Sequence, residues 1–155
     1  MMTELRRRAE AKQMIPNAAV EASRSIIIGV SVDVVWRLLT DVSKWPRWYG
    51  YLKGARLDGK FASGTALTYG GFFKHRLRIA IIEPGKLVML YGTMAGYTGI
   101  TRWDIRNLAK GKTEVTFNES SDGPLIGFLY GNASLGRHLE WWLLAVKVEA
   151  ERLAR

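Results

Sequence analysis

The hydrophobic period of this chain changes once, at Pro124. Before that point, apolar and polar residues alternate over short runs, the period-2 pattern of half-buried strands. After it, Leu125, Phe128, Asn132, Leu135, Leu139, Trp142, Leu143, Val146, Ala150 and Leu153 share one face at helical spacing. Asp122-Gly123-Pro124 supplies a helix start, with proline in the first turn. Gly127, Gly131 and Gly136 weaken the first half by about 1 kcal/mol each relative to alanine. The pattern predicts a C-terminal helix of roughly 45 Å, bent near 127–136, packed on a sheet made by the residues before it.

Upstream, "VEASRSIIIGVS" (20–31) reads as a strand and "VDVVWRLLTD" (32–41) as a short helix capped by Ser31. "VSKWPRWYG" reads as a second short helix or turn, since Pro46 suits a first helical turn. "YLKGARLDG" and "TALTYGG" read as further strands. "FKHRLRIAIIEPGKLVMLYG" is a hairpin turning at Glu83-Pro84-Gly85-Lys86. Its alternation places His75, Leu77, Ile79 and Ile81 on one face, and Lys74, Arg76 and Arg78 on the other. A second hairpin turns at Lys110-Gly111 and presents Thr101, Trp103 and Ile105 beside Thr113, Val115, Phe117 and Glu119. The expected class is α+β: a curved antiparallel sheet of about six to seven strands around a long C-terminal helix, with two short helices after the first strand.

A chain of 155 residues suits one domain. Residues 20–155 are expected to form it, and 1–19 to be a flexible or partly helical arm. No apolar run approaches the ~20 residues of a membrane span, and no apolar segment follows Arg6-Arg7-Arg8 as in a signal peptide. The chain lacks cysteine, which fits the cytoplasm and leaves no disulfide or thiol chemistry. Two histidines without cysteine give no metal-ligand spacing, and no cofactor motif is present. The net charge is +9, and residues 74–112 hold eight Lys/Arg against two acids. Such a face suits an anionic ligand, a membrane surface or nucleic acid. It equally suits the solvated side of a one-sided sheet. No aromatic lies between Arg76 and Arg78, which argues against nucleic acid.

Three segments resemble the polyketide cyclase/dehydrase and lipid transport family of the START-like (SRPBCC) superfamily. "SVDVVWRLLTDVSKWPRW" (31–48) is similar to the family's opening, in which a Val-Trp pair precedes Asp and then Trp-Pro-x-Trp. "IIEPGKLVML" (81–90) resembles its proline-containing hairpin, and "GITRWDIRNLAKGKTEVTFNESSDG" (99–123) its closing hairpin. Val32 departs from a frequent proline, which touches helix capping only. The resemblance implies the helix-grip fold, with a cavity between the concave sheet face and the long helix. Such cavities take lipids, polyketides, hormones or other apolar molecules. Some members catalyse cyclisation or dehydration, and others bind or carry.

Inward-facing Leu77, Ile79, Ile81, Trp103, Phe117, Phe128, Leu135, Leu139 and Trp142 are then either core filler or ligand contacts. Polar residues on the same faces say more. His75 and Glu119 are candidate catalytic acid/base groups, because a carboxyl in an apolar pocket rises in pKa and histidine titrates near neutrality. Asn132 and Tyr69 are candidate hydrogen-bonding ligand contacts, and His138, off the apolar stripe, is expected at the surface. Trp45 and Trp48 are expected either to gate the cavity mouth or to close the sheet end, with Tyr49 or Tyr51 at the rim. Trp141, Leu144 and Val148 form a second apolar strip on the helix, suited to a homodimer contact. The leading expectation is binding or transport of a hydrophobic small molecule or lipid. The alternative is a cyclase or dehydratase acting on a polyketide-like substrate.

Overall fold

A computed structural model describes residues 1–94 and 96–155. The chain opens with helix α1 (Met2–Glu10) and strand β1 (Val20–Ile28). Helix α2 (Val32–Thr40), the single turn α3 (Trp45–Trp48) and a 3₁₀ turn at Gly50–Leu52 follow. Then come β2 (Arg56–Leu57), β3 (Ala66–Tyr69), β4 (His75–Glu83), β5 (Leu87–Met94), β6 (Tyr97–Leu108) and β7 (Lys112–Asp122). The short α4 (Ile126–Leu129) and the long α5 (Gly131–Leu153) complete the chain. The seven strands form one antiparallel sheet in the order β1-β7-β6-β5-β4-β3-β2. The long helix lies against its concave face, giving the expected α+β helix-grip architecture.

Local chemistry explains the turns. Lys110 and Gly111 both have left-handed backbones, φ 62° and 69°, which suits a tight hairpin. Gly92 and Gly99 are register partners across β5 and β6. A Cβ on Gly92 would lie 2.1 Å from the Arg76 carbonyl oxygen, and one on Gly99 2.2 Å from Met94 Cε. The missing side chains leave room there for the β4 backbone beside Gly92 and for the Met94 side chain beside Gly99.

Helix α5 is stitched to the edge strand. Asn132 Oδ1 accepts the Glu21 N–H at 2.9 Å, Lys147 Nζ donates to the Ile27 carbonyl at 2.7 Å, and Glu151 Oε1 accepts the Gly29 N–H at 3.0 Å. Backbone groups on the unpaired side of β1 are thereby occupied, which blunts an edge that would otherwise invite pairing.

Three sequence expectations need correction. The strand expected in "YLKGARLDG" shrinks to the two residues of β2, because Gly50–Leu52 are spent in a 3₁₀ turn. A bulge between Ile79 and Ile81 shifts the β4 register, so Ile81 packs on the outer face and Ile82 joins the inner core. The N-terminal segment contains a helix, and that helix is docked rather than free. Leu5 and Ala9 of α1 are buried against Ala80, Leu87, Met89, Tyr91 and Ile100 on the outer sheet face. The bend expected in the C-terminal helix falls at Tyr130 (φ −121°, ψ −55°) and Gly131 (φ 71°).

Candidate functional site

Alternation along β4 and β7 aims His75 and Glu119 at the concave side, as the sequence reading expects. His75 pairs with Tyr69 on β3 and with Met94 on β5, while Glu119 pairs with Thr101 on β6 and Ala22 on β1. Both carboxyl and imidazole border one cavity of about 420 Å³ at the end of the sheet where α4 meets α5. Tyr51, Tyr97, Tyr130, Ser121 and His138 supply the rest of its polar lining. Met94, Ile126, Leu129 and Leu135 supply much of the apolar lining.

Burial sets the protonation of this wall. The Glu119 carboxyl is pushed up to about 7 by loss of water, partly offset by the Ser121 hydroxyl, which donates to it at 3.4 Å. Burial, and secondly the neighbouring His138, pushes His75 down to about 4. His138 is also lowered by burial. The Tyr51 phenol is pushed up to about 12, first by burial and then by Tyr130 and Glu119. Near pH 7 both imidazoles and the Tyr51 phenol are therefore neutral, and Glu119 is close to half protonated. Glu119 is thus the group of this wall that changes charge near neutral pH.

His75 is held firmly. Its ring stacks on Tyr69, and its Nε2 shares a hydrogen bond of 3.2 Å with the Tyr51 hydroxyl. Its Nδ1 is buried without a hydrogen-bond partner among the described residues. The Tyr51 ring also sits 4.6 Å from that of His138. Three segments distant in sequence, the 3₁₀ turn, β4 and α5, thus meet through one tyrosine.

The structure separates the other candidate residues. Leu77, Ile79, Trp103, Phe117, Leu139 and Trp142 are buried in a filled core between sheet and helix, away from the cavity wall. Tyr69 is buried behind His75. Trp45 belongs to this core rather than to a gate: it packs on Tyr69, Trp103 and Trp142, and its Nε1 donates to the Leu39 carbonyl at 3.2 Å. Trp48 is half-buried away from the cavity and lines a groove with Arg47 and the exposed strip Trp141, Leu144 and Val148. Phe128 is 90% exposed, and Asn132 is spent on the β1 backbone. The break at Tyr130–Gly131 resets the helical phase, so a stripe drawn through 125–153 misplaces Phe128; Asn132 keeps the α5 phase, but there the helix runs beside the β1 backbone. Leu135 alone of the helix candidates lines the cavity. His138, expected at the surface, lines it as well, because the Tyr51 turn packs alongside α5. Tyr97, Tyr130, Ser121 and Met94 were not singled out by sequence reasoning. Ser121 had a usable signal: it continues the inward alternation of Phe117 and Glu119.

Among the described residues, no group of three metal-ligating side chains is assembled, and no helix is long and apolar enough to cross a membrane.

A family model described as polyketide cyclase/dehydrase and lipid transport matches residues 19–143. Among solved structures, the fold is similar to hypothetical protein jhp0584 from Helicobacter pylori, with TM-score 0.74 and 15% identity over 88% of this chain and 91% of that one. It is also similar to a START superfamily protein from Mycobacterium smegmatis, with TM-score 0.70 and 15% identity over 86% and 98%. A third similar structure is norcoclaurine synthase from Thalictrum flavum in complex with dopamine and hydroxybenzaldehyde, with TM-score 0.66 and 12% identity over 85% and 86%. At such identities the likeness shows the fold. No curated protein sequence matches the chain.

Proposed function

The chain belongs to the polyketide cyclase/dehydrase and lipid transport family, and on that premise we propose that it binds a small, largely apolar molecule carrying oxygen functions, seated against Glu119. The observation that carries this reading is the Glu119 carboxyl itself, poised between its two protonation states in a cavity otherwise lined by apolar, phenolic and neutral imidazole groups. A poised carboxyl can donate to a carbonyl or accept from a hydroxyl of the ligand. The volume, about 420 Å³, is near the lower end of the roughly 300–1,000 Å³ usual for small-molecule sites. It favours a compact ligand over a two-chain lipid. The dopamine and hydroxybenzaldehyde held by the norcoclaurine synthase relative are compact oxygenated molecules of this kind.

The second reading is acid–base catalysis of cyclisation or dehydration in the same cavity. It draws on the arrangement of a poised acid, Glu119, and a neutral base, His75, on one cavity wall. Glu119 would protonate a departing hydroxyl or an enolising carbonyl, and His75 with Tyr51 would orient the substrate. The exposed strip Trp141, Leu144 and Val148 supports a separate contact with a second copy of the chain. Trp141→Glu is expected to lower the apparent mass on sizing chromatography, and an unchanged mass would count against that contact.

Native mass spectrometry of the purified chain tests the binding reading. A co-purifying apolar molecule, lost in a Leu135→Trp variant that fills the cavity, is the expected result. A chain that arrives empty and stays empty when offered single-ring phenols and aromatic ketones would overturn it. Catalysis is separated from binding by Glu119→Gln, which should keep affinity and abolish turnover.

A further inference from the structure

We propose that the mouth of this cavity docks on an anionic lipid bilayer, inserting two apolar loop tips that border the opening. The first tip is the turn between β3 and β4. Phe72 is 95% exposed and Phe73 66%, and their rings meet edge to face at 5.1 Å. The second tip is the segment around α4, where Leu125 is 70% exposed, Phe128 90% and Leu129 64%. Phe73 and Leu129 both line the cavity, so the two tips border one opening. Single exposed apolar side chains need no explanation, but five large ones on two short segments that both reach one opening do. Leu125 adds a backbone argument: it sits in the left-handed region at φ 63°, a conformation unfavourable to leucine, and its side chain projects into solvent.

Charge decides between possible occupants. Lys74 and Arg76 adjoin Phe72 and Phe73 around one surface notch, and neither has an ion-pair partner among the described residues. Aromatic and aliphatic tips flanked by cations match a bilayer whose surface carries anionic headgroups above an apolar interior. A protein partner would instead favour a continuous face with lysine depleted at its centre. Docking there would let an apolar ligand pass between bilayer and cavity without crossing water. That purpose rests on the ligand-binding reading, but the docking does not need a bound ligand and is measured without one.

The test is co-sedimentation of the full chain with phosphatidylcholine vesicles, with and without phosphatidylserine. The wild type is expected to pellet with the anionic vesicles and to be released by high salt. A Phe72→Ser/Phe128→Ser double variant is expected to bind at least about tenfold more weakly. Lys74→Glu/Arg76→Glu is expected to lose the preference for anionic vesicles. All four side chains are exposed, so melting temperature should be unchanged, which separates lost docking from lost folding. The proposal is overturned if the wild type stays in the supernatant, or if the double variant pellets like the wild type. It is equally overturned if the double variant converts a wild-type dimer to monomer, since the occupant is then a second copy. Ligand retention by the double variant in vesicle-free solution keeps this result distinct from failure of the binding reading.

Discussion

The imidazole of His75 lies flat against the phenol ring of Tyr69, with centroids 4.5 Å apart and planes 9° from parallel. The pair is a direct cross-strand neighbour between β3 and β4, the position in which ring contacts stabilise a sheet most. It fixes the ring plane, and the Tyr51 hydroxyl fixes its rotation through Nε2.

Tyr51→Phe is therefore expected to leave both nitrogens of His75 without a partner. The expected loss is about 1–3 kcal/mol of stability, the usual penalty for a buried polar group left unpaired. Urea denaturation of the two proteins would measure it. A variant as stable as the wild type would mean that Tyr51 does not hold the ring.

The opposed shifts of Glu119 and His75 predict a compensated pH profile. Glu119 titrates at about 7 in the folded chain against 4.5 unfolded, so its contribution to stability falls as pH rises through that window. His75 titrates at about 4 folded against 6.5 unfolded, so its contribution falls as pH drops through that window. Between pH 4.5 and 6.5 the two slopes oppose each other. Glu119→Gln should expose a rising slope approaching about 1.4 kcal/mol per pH unit, with His138 adding to it. His75→Gln should expose a falling one. Guanidinium melts at a series of pH values would show both.

Trp45 and Trp48 should behave differently although only two residues separate them. Trp45→Ala removes a buried ring from a cluster of four aromatics and is expected to cost about 3–5 kcal/mol. Trp48→Ala, in a half-buried ring that stacks on Tyr49, is expected to cost no more than about 1–2 kcal/mol. Neither change removes a side chain from the cavity wall. Denaturation midpoints and ligand titrations on both variants would check this.

Leu5→Ala is expected to destabilise the chain by about 2–3 kcal/mol, although Leu5 lies outside the region matched by the family. Deleting α1 should expose Met89, Tyr91 and Ile100 on the outer sheet face. Increased binding of an apolar fluorescent dye and a lower melting temperature would report it.

Much of the sheet was legible in the sequence, because a strand's side chains must alternate and β4 and β7 alternate clearly. That alone aimed His75 and Glu119 inward. Legibility failed where one residue shifts the phase. The bulge beyond Ile79 turned Ile81 outward, and the break at Tyr130 turned Phe128 out to solvent. The glycines at 127, 131 and 136 announce a bend but not the phase of the turn before it, and nothing in composition marks the bulge. The docking of α1 was also hidden, since two small buried contacts, Leu5 and Ala9, look like chance in a polar helix.

Periodicity and turn residues by themselves determined the run of antiparallel strands and the long C-terminal helix, and three motif segments carried the resemblance to the family. Those properties are local, or depend only on which face a residue occupies. Tertiary structure decided where the space is. Six of the inward apolar residues fill a core, and the cavity opens only at one end, where Tyr51, His138, Tyr97 and Tyr130 converge from four separate segments. Whether a face is filled or hollow depends on the separation of packed elements, and here the hollow lies where α4 and α5 meet at the end of the sheet. Alternation put the Glu119 carboxyl on an apolar face, but only the packing of α4 and α5 over that face takes it out of water and raises its pKa.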